Sequence, residues 1–490
     1  MLNAFFHTDQ GHAVNESLFP LTPKFNRSIR IESRADRLSS DAGALLLREA
    51  DEMVGVSRWL SAHLQDPRDS SMVVHTQQEL LRQMQYLQGQ GWVDQDDATT
   101  LRDDPVFRVA VSSRRGTSPL ESQPGHPDGL ASQPTRSRGL ETLSTVRNRC
   151  VLRQGLRKMA ARNLRASGRL DDEHWLDVDG VGMVVHGHQP GAEYNGYFHA
   201  TSMHPLMALL GEAGDLVGAW LRPGRASAAG GADEAIKETV RGLRRQGVRL
   251  AGVRMDAGIP SGPLLAVLER EKVPFVARVR KNTVLKRLAG EHNLMPWLNT
   301  PSGAEVPEER FIEFEYKASS WERPYRVICV VVQEPGELFA RSFFLVTSYS
   351  ADEMDAQTVL DCYRQRGTAE GRFGEWKTTI HPMLSSTNRP KKHYRGEAPK
   401  KKTPGRDAYA CNEALLLLSA LAYSLVHVIR CCVERVTQRG WSLQRVRERL
   451  LKVAARLVRG SRRLTFVLPR SAAELQAAVW SQLHAIETFP

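Results

Sequence analysis

The run WLDVDGVGMVV, residues 175–185, decides the fold. Its Trp, Leu, Val and Met content reads as a β-strand. Two carboxylates interrupt it, Asp177 and Asp179. Side chains two residues apart on a strand share a face. A charge on a strand that otherwise reads as buried is costly unless something compensates it. A bound divalent cation is one such compensation.

Downstream, residues 206–210 and 216–221 read as two more strands, joined by the Gly/Asp turn GEAGD. ADEAIKETVRGLRRQG (232–247) reads as a helix that ends at Gly247, a C′ glycine. LAGVRM (250–255) is a strand running directly into Asp256. Residues 263–271 follow as a short helix, with Ser261 as its N-cap, and PFVARV (274–279) as a strand. The order β-β-β-α-β-α-β predicts an α/β fold with a mixed sheet. FIEFEY (311–316), RVICVVV (326–332) and FFLVTS (343–348) then read as a β-rich insertion. Trp297 and Trp321 in that region suit aromatic packing more than base stacking.

A helix over about 352–381 carries YRQRGTAEGRFGEWK (363–377). Tyr363, Arg366, Glu370 and Lys377 are spaced by 3, 4 and 7, which places all four on one helical face. Taken alone, such a face reads as solvated and salt-bridged. Beside Asp179 and Asp256 it supplies a third acid, Glu370, flanked by cations. Carboxylate oxygens without a nearby cysteine suit Mg²⁺ or Mn²⁺, not zinc. Two ions held by three carboxylates make a phosphoryl-transfer site. Arg366 and Lys377 then hold a DNA phosphate, and Tyr363 bonds a phosphate or stacks on a base.

The flanks are helical. TQQELLRQMQYL (76–87) has a helical apolar stripe at Leu80, Leu81, Met84 and Leu87. Residues 112–138 read as a linker. A helix over about 140–166 carries Arg147, Arg149, Arg153, Arg157, Lys158, Arg162 and Arg165, which suits either a phosphate backbone or a solvated face. Residues 389–406 hold eight Lys/Arg against one acid and read as a basic loop. Its Lys391, Lys392, Lys400, Lys401 and Lys402 suit a DNA-backbone clamp. The apolar stretch 414–429 reads as a buried helix, not a membrane span. An Arg-rich amphipathic helix follows Ser442, with Leu443, Val446, Leu450, Val453 and Leu457 as its stripe.

With 490 residues the chain is too long for one core. A net charge of +12 favours a polyanionic partner, nucleic acid first. The six cysteines form no CxxC pair, so neither a zinc site nor a disulfide framework is expected and a reducing cytoplasm fits. The N-terminus has no secretory signal pattern. His186 and His188, in HGHQ, read as loop residues rather than metal ligands.

At this point the chain resembles a known family. The element order with Asp, Asp and a helical Glu is similar to the RNase H-like core of DDE transposases. Tyr-x2-Arg-x3-Glu-x6-Lys matches the YREK signature of bacterial insertion-sequence transposases at all four positions. LRDDPVFRVAV (101–111), LASQPTRSR (130–138), HGHQPGAEYNGYFHATSMHPL (186–206) and VRMDAGIP (253–260) narrow the resemblance to the insertion-sequence family called thirteen-eighty. Val181, Gly371 and SRGLETL (137–143) depart from its usual pattern; none removes a carboxylate.

The resemblance implies that Asp179, Asp256 and Glu370 are catalytic metal ligands, with Asp177 in reserve. It implies an RNase H-like core at 150–283 and 351–382, interrupted by the β-rich insertion at 284–350. A helical DNA-binding region with its linker spans 1–149, and a basic helical region spans 383–490. The implied activity is that of a homodimer that binds the terminal inverted repeats of its element. It cuts the ends by Mg²⁺-dependent hydrolysis and joins them to target DNA. A nuclease without strand transfer, or an inactive DNA-binding derivative, are the alternatives. DNA binding is expected to be salt-sensitive.

Overall fold

The computed structural model describes residues 20–32, 36–94, 96–122, 129–196, 198–290, 308–333, 341–387 and 407–486. The basic loop, with Lys391, Lys392, Lys400, Lys401 and Lys402, lies outside the described residues, as does Trp297.

Helix α1 (Gln77–Gln90) starts at a capping box in which Thr76 and Glu79 bond each other's backbone. Its predicted stripe is buried, and so is nearly every residue from Leu80 on. The predicted linker ends early, because a helix begins at Gln133 and runs to Leu143. Helix α2 (Val146–Ala166) follows, capped by Thr145.

The structure changes the reading of part of the basic strip of α2, while Arg147 and Arg165 stay exposed. Arg153, Arg157 and Arg162 are buried. Arg157 Nη2 donates to Glu238 Oε1 at 2.7 Å and Arg153 Nη1 to Glu413 Oε1 at 2.8 Å. Arg162 Nη1 donates to the Val54 carbonyl. These cations bind other parts of the chain, because long side chains that read as surface charge reach acids on neighbouring elements.

An eight-stranded mixed sheet forms the centre. Its strands are β1 (Glu173–Gly180), β2 (Leu206–Leu210), β3 (Asp215–Trp220), β4 (Arg249–Met255), β5 (Phe275–Val279), β6 (Glu308–Tyr316), β7 (Tyr325–Gln333) and β8 (Arg341–Thr347). Across the sheet the order is β6-β7-β8-β5-β4-β1-β2-β3. Strands β1, β2 and β3 are antiparallel, and β4 and β5 run parallel to β1. Helix α3 (Ala232–Arg245) and helix α4 (Gly262–Arg270) make the crossovers. The predicted β-β-β-α-β-α-β order is therefore present. Gly247 has φ +80, as a C′ glycine should. Ser261 occupies the N-cap of α4 without a side-chain capping bond. The opening run breaks after Gly180. Met183–Val184 instead pairs into a small sheet with Glu193–Asn195 and Ala200–Met203.

The β-rich insertion is not a separate unit in its strands. β8 pairs antiparallel with β5, from Phe344 opposite Val279 to Thr347 opposite Val276, so β6–β8 extend the central sheet. β7 is buried on both faces except at Arg326, which requires a layer on each side. One of those layers is helix α5 (Ala356–Arg364). Its Val359, Leu360 and Cys362 pack on Val276, Ile328, Val330 and Leu345. The added strands are thus the floor for the helix that leads into the motif.

That helix is not continuous either. α5 ends at Arg364, helix α6 (Arg366–Glu375) begins after Gln365, and a π-helical turn spans Trp376–Ile380. Helix α7 (Ala408–Thr437) is long and apolar enough to cross a membrane, but it is almost wholly buried inside the protein. The helices before residue 166 and those after 407 share one hydrophobic core around it. The expected amphipathic helix after Ser442 is helical only through Val446, continues as a π-turn over Arg447–Leu451, and becomes a strand at Ala455–Arg459. Its stripe residues are all buried, but Ala455 and Leu457 alternate with exposed Arg456 and Val458, a strand period.

Candidate active site

Strands β1 and β4 are parallel neighbours, and Val178 is the register partner of Met255. The next residue on each is an acid. Asp179 and Asp256 therefore stand side by side where the two strands end. The alternating face matters. Leu176 and Val178 point into the core shared with α3 and α4, so Asp177 and Asp179 point the other way, toward α5 and α6.

The motif residues converge on this edge. Tyr363 Oη donates to Asp256 Oδ1 at 3.3 Å. Arg366, only 6% exposed, donates from Nη2 to Asp179 Oδ2 at 2.8 Å and from Nη1 to Glu370 Oε1. Lys377 Nζ donates to the Gly182 carbonyl at 2.7 Å, tying the π-turn to the loop after β1. These four share one face by their spacing, and each bonds β1, a residue just beyond the end of β1 or β4, or another motif residue. Glu370 keeps its side chain 57% exposed, while Asp179 is partly buried.

Burial, opposed by Arg366 and reinforced by Asp256 and Glu370, pushes the Asp179 carboxyl up to about 6. Burial likewise pushes the Tyr363 phenol up to about 12, with Asp256 adding to it against Arg366. The electrostatics describe three mutually repelling acids with one guanidinium among them. Among the described residues no three His, Cys, Asp or Glu side chains lie close enough together to hold a metal ion. Of the expected ligands Asp179, Asp256 and Glu370, the first and third are bridged here by Arg366. The donor chemistry still fits a hard divalent cation. All three donors are carboxylates, and a positive charge there would offset the burial, and the lesser repulsion from Asp256 and Glu370, that raise Asp179.

Asp177, the reserve ligand, has both oxygens engaged by Arg254. It is fully buried and forms a bidentate pair with Arg254, at 2.7 and 2.8 Å. Trp321 is buried, edge-on to Tyr316 and Tyr325, and so packs rather than stacks on a base. His186 and His188 are exposed loop residues.

Sequence reading missed two residues beside Asp179. Arg222 is buried and donates to the carbonyls of His204, Ser227, Ala228 and Gly230. Its Nη2 has no hydrogen-bond partner among the described residues. Burial, only partly offset by Asp179, lowers its pKa to about 10. His204 lies next to it, and both side chains press on Gly180. A Cβ there would sit 2.7 Å from His204 Nε2 and 2.9 Å from Arg222 Nη2. The Gly180 amide itself donates to Asp179 Oδ1 at 2.7 Å. The only signal in the sequence was the glycine after Asp179.

A mixed sheet with two acids at adjacent parallel strand ends and a third on the facing helix defines a candidate carboxylate site of the phosphoryl-transfer type. The sequence profile of the family described as transposase DDE domain group 1 matches residues 21–489, and the chain belongs to that family. No curated protein matches the chain. Among solved structures, it is similar to one described as a cryo-EM structure of a piggyBac transposase synaptic complex with hairpin DNA. The identity is 13%, the match covers 93% of this chain and 84% of that one, and the TM-score is 0.40.

Proposed function

We propose that this DDE transposase binds the terminal inverted repeats of an insertion sequence as a homodimer, cleaves its ends by hydrolysis, and joins them to target DNA. The observation that carries this reading is the meeting of Asp179 and Asp256 at neighbouring strand ends with Arg366 linking Asp179 to Glu370. The YREK spacing and the thirteen-eighty resemblance support the insertion-sequence assignment. The element order supports an RNase H-like core.

Asp179, Asp256 and Glu370 would hold two Mg²⁺ ions, or Mn²⁺ in their place, and these would supply activation of a water or 3′-hydroxyl and stabilisation of the leaving oxygen. The chain's own residues do the rest. Arg366 changes partner from the carboxylates to a DNA phosphate, where its planar fork binds two oxygens. Lys377 sets the loop after β1 against the helix and adds positive charge at the site's rim. Tyr363 holds Asp256 oriented through its hydroxyl. Lys391, Lys392, Lys400, Lys401 and Lys402 grip the DNA backbone, so binding weakens steeply with salt. The protein acts on DNA in the bacterial cytoplasm.

Strand transfer tests the reading. A precleaved element end with a free 3′-hydroxyl is incubated with the protein, Mg²⁺ and a target plasmid. Joined products are expected. Cleavage of uncut ends without any joining would make the protein a nuclease of the same fold.

A further inference from the structure

Beneath the two strand-end acids lies a second pair. Asp177 and Arg254 are register partners on β1 and β4, each two residues before an acid of the site and on the same face. Both side chains are 1% exposed. Arg254 uses its whole fork. Nε and Nη2 bind the two Asp177 oxygens at 2.7 and 2.8 Å, and Nη2 also reaches Glu212 Oε1 at 3.0 Å. Nη1 crosses to the helix layer, donating to the Cys362 carbonyl at 3.2 Å and to Gln365 Oε1 at 3.0 Å. The guanidinium lies 5.5 Å from the Trp175 ring centroid. Gly211 makes room for the pair: a Cβ there would fall 2.2 Å from both Arg254 Nη2 and Asp177 Oδ2.

A buried ion pair is a poor way to gain stability. Replacing one with apolar residues of similar volume is often neutral or stabilising. Its worth lies in what it orients. Cys362 lies in the last turn of α5, and Gln365 is the residue at the join between α5 and α6. Arg366 is the next residue, and Glu370 follows about one turn later. Arg254 is therefore bonded to the strand that carries Asp179 and to the hinge point of the helix that carries Glu370, while sitting itself two residues before Asp256.

We propose that Arg254, held by Asp177, is a positioning residue for the transposase reaction. It fixes the helix join so that Arg366 and Glu370 face Asp179 and Asp256. The inference rests on the function proposed above. A displacement of the reacting groups by 1 Å costs on the order of 10²-fold in rate, which sets the size of the expected effect.

The test uses the full chain and compares wild type with Arg254→Lys, which keeps the charge opposite Asp177 but lacks the fork that reaches the helix. Mn²⁺ binding is followed by electron paramagnetic resonance, end-DNA affinity by anisotropy, and cleavage by single-turnover kinetics. Arg254→Lys is expected to slow cleavage by about 10- to 100-fold. It should weaken Mn²⁺ binding while leaving end-DNA Kd within twofold and the protein folded. Gln365→Ala, an exposed position that leaves the buried pair intact, provides the same reading if Arg254→Lys unfolds, with a smaller loss in the same direction. If wild type binds Mn²⁺ and cleaves, and the folded variant matches it in both, the positioning role is overturned. If wild type itself neither binds Mn²⁺ nor cleaves, the proposed function falls, and this inference with it.

Discussion

Arg366 Nη2 lies 2.8 Å from Asp179 Oδ2, and the other arm of the same guanidinium binds Glu370. A cation of the chain itself thus joins two of the three acids. It offsets part of the repulsion that their closeness creates, and Asp179 still titrates near 6 because burial outweighs it. Removing the guanidinium leaves Asp179 buried beside two acids. Arg366→Gln should raise the Asp179 pKa further above about 6. Carboxyl ¹³C NMR of aspartate-labelled protein reads this directly, and a fall in that pKa would contradict it.

Gly180 is a steric requirement. A methyl group there meets His204 Nε2 and Arg222 Nη2 inside 3.0 Å, and Arg222 is pinned by four carbonyls. Gly180→Ala should cost about 1–3 kcal/mol, as overpacking does, and should impair cleavage by displacing Asp179. Adding His204→Ala should recover part of both losses. Thermal unfolding and cleavage rate of the single and double variants check this. A double variant no better than the single one would show that His204 is not the obstruction.

Glu238 anchors the buried cations of α2. Burial alone would raise its carboxyl, but Arg157 and Arg153 outweigh that and hold it below the ordinary 4.5. A carboxyl with a lowered folded pKa binds fewer protons folded than unfolded. Its contribution is therefore present above about pH 4.5 and is lost as pH falls through the lower folded value. Glu238→Gln leaves Arg157 buried without its acid. The expected cost at pH 7 is about 3 kcal/mol, the low end for breaking a buried pair because Glu238 is a third exposed. Denaturant unfolding at pH 7 and pH 4 should show the difference between wild type and variant shrinking with acid.

Trp321 distinguishes packing from DNA contact. It is buried between Tyr316 and Tyr325 on the extension strands. Trp321→Ala should destabilise the protein by about 3–5 kcal/mol with no change in end-DNA affinity of the folded fraction. Loss of affinity without loss of stability would reassign it to DNA binding.

The strand order was legible because alternation, turn glycines and chain order are local signals. The two strand-end acids were legible because a charge in an apolar strand stands out. What the sequence hid was partnership across distance. The α2 arginines read as a basic strip because their acids, Glu238 and Glu413, are 85 and 260 residues away from Arg153. The insertion strands read only as a β-rich insertion in the core, because their pairing with β5 leaves no mark in the sequence. Arg254 went unnoticed for the same reason: its role depends on register with Asp177 and on a helix join more than a hundred residues on. Nor did periodicity reveal that the motif helix breaks at Gln365, since its residues stay helical in φ and ψ across the join.

The central claim is that Glu370, with Asp179 and Asp256, performs the DNA cleavage of a transposase. The direct test uses DNA carrying the inverted repeats that bracket the protein's reading frame, incubated with Mg²⁺ and either wild type or Glu370→Ala. Wild type should nick at the repeat boundary, while Glu370→Ala should bind the same DNA with unchanged Kd and leave it uncut. Cleavage that survives in Glu370→Ala would contradict the assignment.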